Sequence, residues 1–336
     1  MLVSLPEQLE SSIEAALRDL PPSQWMKAAR SISRRYRVRR NGTASSLVQG
    51  TSEALGYAAL ILPAAYAQLY GAMMAVHARI PQWQPRSMLD IGSGPGTALW
   101  AAVEQWPLLQ TLTAWEREAA FIHLGRRFAT TSGKQTLCAT RWEHVIIGKH
   151  LPAHFPMYDL VVFGHVLNEL PETVRQEVVE MAWKHCSGVL LIVEPGTSTT
   201  FPVVKTMREH LRSLAAFTLA PCVHDNECPL VNDWCHFPQR LKRPRFQRQA
   251  KNASAGWEES KFSYVAMGRF PPERTAWGRL IHQPSVRKGF VELTISSQDG
   301  LVQPRVLKRD RAMYRESLLY EWGDVIAMPR FSQEKR

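Results

Sequence analysis

The chain has 336 residues, of which 45% are hydrophobic, and carries a formal net charge of +11 at pH 7. This length and composition allow a large buried core in two or three structural units, and they exclude a disordered tail. The excess of cations favours an anionic partner such as nucleic acid. The longest apolar run, Ala58–Ala67, is short and contains Pro63, so the sequence predicts neither a transmembrane helix nor a membrane partner.

The first twenty residues contain four acidic side chains and lack the basic start of an export signal or a transit peptide. The sequence therefore predicts a cytoplasmic location, where the compartment is reducing and disulfides are rare. In such a compartment the five cysteines remain free to act as ligands.

Taken in chain order, the sequence divides into three predicted regions. Residues 1–84 read as helical, with Pro63 as a kink or break. Residues 85–270 alternate short apolar runs with helical stretches, which is typical of a Rossmann-like α/β sheet, and they include an insertion at 221–251. Residues 271–336 are predicted to be β-rich, with a short helix near Tyr314–Glu321. The candidate strands of the sheet are Ser87–Ile91, Thr111–Trp115, Thr136–Ala139, Tyr158–Phe163, Gly188–Val193 and Lys261–Gly268.

The most specific motif is Met88–Gly96, in which Asp90 ends a predicted strand and three alternating glycines follow. Glycines let the backbone turn tightly and approach a ligand where a Cβ would collide. The dinucleotide fingerprint requires a further glycine where this chain has Thr97. The arrangement Asp-x-Gly-x-Gly-x-Gly instead resembles motif I of the S-adenosylmethionine-dependent class I methyltransferases.

That resemblance implies a site for S-adenosylmethionine at the carboxyl edge of the sheet. Asp90 would orient the amino group of the ligand, and Glu116 would accept both ribose hydroxyls. Gly164–Leu170 and Glu194–Gly196 follow the fourth and fifth strands at the same edge. The predicted cofactor-binding residues are Asp90, Gly92, Ser93, Gly94, Gly96, Glu116, His165 and Asn168.

No catalytic residue is assigned, because the chain lacks an Asn-Pro-Pro-Tyr motif and has no cysteine at the relevant strand ends. His165 is a candidate base, and equally a residue that caps or packs beside the cofactor. Cys138 and Cys186 are expected to be buried as small hydrophobic residues.

Residues 221–251 combine three cysteines with a run of positive charge. Cys222, Cys228 and Cys235 suit a soft metal or an iron–sulfur cluster, although without a Cys-x2-Cys pair they also suit packing of reduced thiols. His224 and His236 are nearby candidates for a fourth ligand.

Six Lys or Arg and no acid lie between positions 240 and 251, and a second basic block spans Arg34–Arg40. Such cations suit a phosphate backbone, with a solvated face as the alternative. The aromatic residues Trp234, Phe237 and Phe246 are candidates to stack on bases. The predicted RNA-binding residues are Arg34, Arg35, Arg37, Arg240, Lys242, Arg243, Arg245 and Arg248.

The segment Pro221–Arg243, with Cys-x-His-x3-Cys-Pro and Asp-Trp-Cys-His-Phe, resembles the methyltransferase-like assembly factors of the mitochondrial small ribosomal subunit and their bacterial homologues. The resemblance extends to Thr51–Tyr57 and Trp322–Asp324. It implies small-subunit rRNA, with ribosomal proteins, as partners and a 4Fe–4S cluster held by four cysteines. Three of these cysteines match Cys222, Cys228 and Cys235, and Ser296 occupies the place of the fourth. A site completed by Ser296, His224 or His236, holding a cluster or zinc, and an empty site remain open.

The sequence as a whole predicts an S-adenosylmethionine-dependent methyltransferase-fold protein that acts on or assembles the small ribosomal subunit. One alternative is a catalytically inactive assembly or RNA-binding factor that keeps the fold. A second alternative is a small-molecule methyltransferase, for which the basic segments have no explanation.

Overall fold

The computed structural model describes residues 2–38, 48–148, 152 and 155–328. Within these ranges a mixed sheet has the strand order β1-β8-β9-β6-β5-β2-β3-β4, and β7 pairs with the far part of β9. Strands β2 to β6 are mutually parallel, whereas β7, β8 and β6 run antiparallel to β9. The strands are β1 Leu2–Val3, β2 Ser87–Ile91, β3 Thr111–Glu116, β4 Arg141–His144, β5 Tyr158–Gly164, β6 Cys186–Pro195, β7 Phe217–Ala220, β8 Phe237–Lys242 and β9 Trp257–Gly268.

Helices cover the sheet because their apolar faces pack onto its two apolar faces. The first is amphipathic, and Leu9, Ile13, Ala16 and Leu17 form its buried stripe. The helices are α1 Glu7–Arg18, α2 Pro22–Val38, α3 Thr51–Leu60, α4 Leu62–Arg79, α5 Thr97–Gln105, α6 Ala119–Thr130, α7 Gln135–Cys138, α8 Glu172–Lys184, α9 Phe201–Ser213, α10 Arg245–Lys251 and α11 Arg311–Ser317.

The break expected at Pro63 is present, and it separates α3 from α4 by a bend of 55°. Proline fits the first turn of α4 because the amide hydrogen that it lacks has no helical partner there. No single helix in the described ranges is long and apolar enough to cross a membrane, and only the bent pair α3–α4 together reaches that length and composition.

One predicted strand is wrong. Residues Thr136–Ala139 lie mostly in the short helix α7, and the third strand of the sheet is β4, which pairs with β3. β4 is a half-exposed edge strand of sequence Arg-Trp-Glu-His, so it lacks the apolar run by which the inner strands are found. Cys138 is the last residue of α7 and is exposed rather than buried. Cys186 on β6 is buried as expected.

The insertion at 221–251 is only partly an irregular loop. It begins after β7, a strand that the sequence reading missed, and its second half forms β8 and α10. β8 pairs antiparallel with β9, so that Phe237 lies opposite Phe262 and Lys242 opposite Trp257. β1 adds to the outer side of β8, which gives the mainly helical N-terminal region one strand.

The chain beyond β9 forms two small antiparallel sheets around a core that contains Trp277, Val291 and Val306. Turns at Lys288-Gly289 and Gln298-Asp299 connect consecutive strands of these sheets. α11 begins three residues earlier than the predicted helix and ends at Ser317. The strands are β10 Gly278–Leu280, β11 Ser285–Arg287, β12 Phe290–Glu292, β13 Ile295–Ser297, β14 Gly300–Val302, β15 Arg305–Leu307 and β16 Val325–Ile326.

Candidate functional site

The glycine loop between β2 and α5 has a backbone that other residues rarely adopt. Gly92, Gly94 and Gly96 have φ values of 72°, 55° and 83°. A Cβ on Gly92 would lie 2.5 Å from a methyl group of Val166, so the loop packs directly against the segment after β5. A Cβ on Gly94 would meet nothing within 4 Å, which leaves this part of the loop open to a ligand.

Two buried carboxylates lie beneath the loop. Asp90 is 1% exposed, and its Oδ2 has no hydrogen-bond partner among the described residues. Burial, together with the negative charge of Glu116, raises the pKa of Asp90 well above its ordinary value. A cationic ligand group beside Asp90 would offset both effects.

Glu116 is already engaged by the backbone. Its carboxylate accepts hydrogen bonds from the amides of Gly94 at 2.7 Å and of Arg117 and Glu118 at 2.8 Å each. A carboxylate offers about four acceptor positions, so one remains for a ribose hydroxyl. The predicted contact with both ribose hydroxyls would require at least one shared acceptor position.

The segment after β5 is held in place by a buried acid on β6. Glu194 is fully buried and accepts hydrogen bonds from the amides of Leu167 at 2.8 Å and Asn168 at 3.2 Å, and from the Asn168 side chain. Burial raises the pKa of Glu194 to about 7, although these hydrogen bonds oppose the rise. The sequence placed this residue at the sheet edge but gave no sign that it positions Asn168.

His165 begins this segment in a left-handed conformation, with φ of 62°. Its Nε2 is buried without a hydrogen-bond partner in the described ranges, and burial lowers the pKa of His165 to about 4. The imidazole is therefore neutral at pH 7 and a weak proton acceptor, which favours packing or hydrogen bonding to a ligand over general-base catalysis.

A cleft of about 1100 Å³ lies beside these groups at the carboxyl edge of the sheet. This volume exceeds the usual range for a single small ligand. Of the predicted cofactor residues, Asp90, Ser93 and Gly96 do not line the cleft itself. Those that do are Gly92, Gly94, Glu116, His165 and Asn168.

The cleft is acidic near the glycine loop and basic at its opposite rim. Burial raises the pKa of Tyr57 on α3, and the nearby carboxylates of Glu169, Glu116 and Asp90 raise it further. The opposite rim carries cations from α2 and from the insertion. The acidic part suits a cation such as the ammonium and sulfonium of S-adenosylmethionine. At the rim, Glu258 also lines the cleft and pairs with Arg243 and Lys251, so that an anion would be attracted mainly by Arg30 and Arg34. The rim cations are Arg30, Arg34, Arg243 and Lys251.

A second, much smaller cavity of about 30 Å³ is lined by the three cysteines of the insertion together with Ser296 of β13. Burial raises the pKa of Cys222 and of Cys235, while the nearby guanidinium of Arg279 opposes the rise. Arg208 and Arg279 also line the cavity and are nearly buried. Thiols and buried cations therefore meet at one point, where burial disfavours negative charge on sulfur and the two guanidinium groups only partly oppose that effect.

These side chains do not form a metal site as they stand. Among the described residues, no group of three or more His, Cys, Asp and Glu is arranged to hold a metal ion. The cavity has room for one or two water molecules, so a four-iron cluster would require the surrounding side chains to move apart. Neither histidine lines the cavity: His224 lies 3.3 Å from the Ser296 hydroxyl, and His236 stacks on Trp234.

The basic insertion is less uncompensated than its sequence suggests. Glu258 of β9 pairs with Arg243 at 3.0 Å and with Lys251 at 2.6 Å, and Glu259 pairs with Arg240 at 3.5 Å. These acids lie outside the 240–251 run and reach it because β8 pairs with β9. Charge is thus removed from part of the predicted RNA-binding surface.

The other predicted RNA contacts are distributed over two helices and a strand. Arg245 and Arg248 on α10 are exposed and form no ion pair with any described residue, and Lys242 is exposed on β8. Arg34 lines the cleft, and Arg35 pairs with Glu53. Arg37 lies in α2, but its side chain lies outside the described residues, and so do Arg39 and Arg40.

Two of the three aromatic residues proposed to stack on bases are not available. Phe237 and Phe246 are buried, because β8 and α10 turn them toward the core. Trp234 remains accessible, and Trp257, which lies outside the predicted insertion, is 51% exposed.

The parallel strand order, the antiparallel β9 and the glycine loop after β2 define a protein with the class I methyltransferase fold. Among solved structures, the N-methyltransferase NodS of Bradyrhizobium japonicum, in complex with S-adenosyl-L-homocysteine, is 12% identical with a TM-score of 0.38. That match covers 59% of this chain and 85% of NodS. Such values are too low to transfer a ligand or a reaction.

Residues 51–327 match the family described as "Mitochondrial small ribosomal subunit Rsm22", and the chain belongs to that family. It is 30% identical over 301 residues to the human "Ribosome assembly protein METTL17, mitochondrial", covering 84% of this chain and 63% of that protein. It is 22% identical to "Rsm22-cox11 tandem protein 2, mitochondrial" of Schizosaccharomyces pombe, covering 82% and 43%. The chain thus spans less than two thirds of the length of these relatives.

The cytoplasmic location predicted from the sequence is wrong on this comparison. The family and both relatives carry "mitochondrial" in their names. The prediction relied on the composition of the first twenty residues. Because the chain spans only part of its relatives, that composition is no basis for predicting a location.

Proposed function

We propose that this chain binds S-adenosylmethionine in the acidic part of the cleft and serves in assembly of the small ribosomal subunit. The carrying observation is the buried, unpartnered Oδ2 of Asp90 beneath an open glycine loop. A buried carboxylate without a partner is costly, and the cationic groups of S-adenosylmethionine would satisfy it. The human relative is named as a ribosome assembly protein, which supports the second part of the proposal.

Calorimetric titration of the full chain with S-adenosylmethionine tests the first part. Asp90→Asn keeps the shape of the side chain and removes its charge, so we expect at least a tenfold loss of affinity. Asp19→Asn, at an exposed ion pair with Arg127, is the control and should bind as the unmodified chain does. Equal affinity of all three proteins would contradict the proposed site.

We propose the assembly role rather than methyl transfer assisted by a general base. The low pKa of His165 makes it a weak base, and Asn168 is engaged by Glu194. We therefore infer that the cofactor stabilises a binding-competent form of the protein. Incubation with labelled S-adenosylmethionine and precursor small subunits distinguishes the roles, since stoichiometric label in the RNA would establish catalysis instead.

We further propose that exposed cations of the insertion hold rRNA through its phosphates. Arg245 and Arg248 support this because both are exposed and without an ion pair among the described residues. Replacing both with Ala is expected to weaken binding about equally for different RNA sequences and to reduce the salt dependence by roughly two phosphate contacts. Adding Arg243→Ala should contribute less, because Glu258 already neutralises that side chain. An unchanged salt slope in filter-binding titrations would contradict the proposal.

We propose the cysteine cavity as the place where a soft metal ion or an iron–sulfur centre would assemble, with Cys222, Cys228 and Cys235 as sulfur donors. Support comes from the convergence of the three residues on one cavity beside two buried arginines. The test measures the metal and sulfide content of anaerobically purified protein. Cys186→Ala is the matched control, because Cys186 lies on β6 outside the cavity and its loss should leave that content unchanged. Sulfide together with iron supports a cluster, and stoichiometric metal without sulfide supports a single ion. A protein that contains neither metal nor sulfide would contradict the proposal.

A further inference from the structure

The N-terminal part of β9 has one face toward the cofactor cleft and one face toward solvent. Successive side chains of a strand point to opposite faces, so Glu258, which lines the cleft, faces away from Trp257 and Glu259. The opposed residues of β8 follow the same rule: Arg240 and Lys242 share the outer face with Trp257. This outer face is therefore separated from the cofactor cleft by the thickness of the sheet.

The outer face combines exposed aromatic rings with cations. Trp257 is 51% exposed, and the guanidinium of Arg240 lies 5.2 Å from its ring centre. Lys242 is exposed directly opposite Trp257. Four residues further along β9, which is roughly 13 Å, Lys261 lies 5.5 Å from the ring centre of Trp322.

The ring system continues beyond Trp322 into the cysteine loop. His236 contacts Trp322 at 4.7 Å between ring centres and stacks on Trp234 at 5.4 Å with an interplanar angle of 15°. Trp234 is itself 36% exposed. A strip of rings and cations thus extends from Trp257 to Trp234 along one side of the molecule.

We propose that this strip binds single-stranded RNA, with an unpaired base stacked on Trp257 and phosphates held by Arg240, Lys242 and Lys261. Stacking on an exposed ring beside cations is how proteins hold single strands without reading their sequence. The occupant is anionic, because Lys242 and Lys261 form no ion pair with any described residue, although Glu259 pairs with Arg240 and Glu10 lies near Lys242. The proposal rests on the proposed rRNA role and adds a preference for unpaired segments. The strip anchors RNA and does not deliver a base to the cleft.

The test compares fluorescein-labelled single-stranded RNA of about 12 nucleotides with a duplex of the same length, by fluorescence anisotropy on the full chain. Trp257→Ala should weaken single-strand binding by about five- to a hundredfold and change duplex binding less than about twofold. Trp257→Phe should retain most of the single-strand affinity. Phe217→Ala, which truncates an aromatic residue 38% exposed on β7, is the matched control and should leave both affinities unchanged.

The outcomes separate this inference from the proposed function. If the unmodified chain binds RNA but Trp257→Ala binds single strands equally well, the stacking site is overturned while the phosphate contacts of α10 stand. If Trp257→Ala impairs association with ribosomal subunits without changing affinity for free RNA, the strip contacts protein instead and the inference is also overturned. If the unmodified chain binds neither the single strand nor the duplex, both the stacking site and the proposed rRNA binding fail.

Discussion

The buried Glu194 gives the structure its most quantitative prediction. Its pKa is raised from 4.5 to about 7, mainly by burial. The folded chain therefore holds this proton more tightly than the unfolded chain. The resulting contribution to stability is fully present below about pH 4.5 and is lost as the pH rises through about 7.

Replacing Glu194 with Gln keeps an acceptor oxygen for the amides of Leu167 and Asn168 and removes the ionisation. The raised pKa corresponds to roughly 3 kcal/mol, most of which is lost between pH 5 and pH 8. With an unfolding entropy of roughly 2.1 cal/mol/K per residue, a chain of 336 residues converts this into a melting shift of roughly 3–4 °C.

We expect the melting temperature of Glu194→Gln, relative to the unmodified chain, to rise by that amount between pH 5 and pH 8. Circular-dichroism melts of both proteins measure this difference, from which the titration of other groups cancels. Glu180→Gln is the control, because its exposed carboxylate pairs only at the surface and should show no comparable rise. A difference that is constant or falls with pH would refute the reasoning.

Three further substitutions test local packing and charge. Gly92→Ala should lower the free energy of unfolding by at least about 2 kcal/mol and weaken S-adenosylmethionine binding. Gly133→Ala is the control, because its positive φ is similar but its surroundings are open, and it should cost about 1 kcal/mol. Urea unfolding measures the stability of each variant, and calorimetry measures its affinity for the ligand. Gly125→Ala brings a Cβ within 2.2 Å of the Trp142 ring and should lower the free energy of unfolding by about 1–3 kcal/mol. Trp142→Phe in the same chain should restore part of this loss, and strictly additive effects of the two substitutions would contradict the contact. Glu258→Gln frees two cations, so the salt dependence of RNA binding should steepen by roughly one to two contacts; an unchanged slope would show that they do not reach phosphate.

Local sequence signals predicted the centre of the fold well. β2 has the predicted bounds, because an apolar strand that runs into alternating glycines is marked on both sides by adjacent residues. The edge strand β4 was missed because half-exposed strands carry polar residues, and the apolar run nearby belongs to α7, which buries Leu137.

Pairing between distant segments explains what the sequence did not show. Arg243 and Glu258 are fifteen positions apart and meet only through the packing around β8 and β9, so a run of cations seemed unpaired. Phe237 likewise seemed available for stacking until β8 placed it against the core. The fold-defining residues could be predicted, whereas charge balance and exposure of the insertion depended on the register of one strand pair.

That strand pair connects the three proposed sites. β9 places Glu258 at the cleft, Tyr264 at the cysteine cavity and Trp257 on the outer strip. Ser263 also donates a 2.7 Å hydrogen bond to the carbonyl of Cys235, which ties the cysteine loop to the same strand. Because packed strands shift as units, displacement of the cysteine loop would alter the spacing between the ring of Trp322 and the cations of β8. Cysteine substitutions should therefore change single-strand RNA affinity more than S-adenosylmethionine affinity, since the glycine loop lies on the distant strand β2.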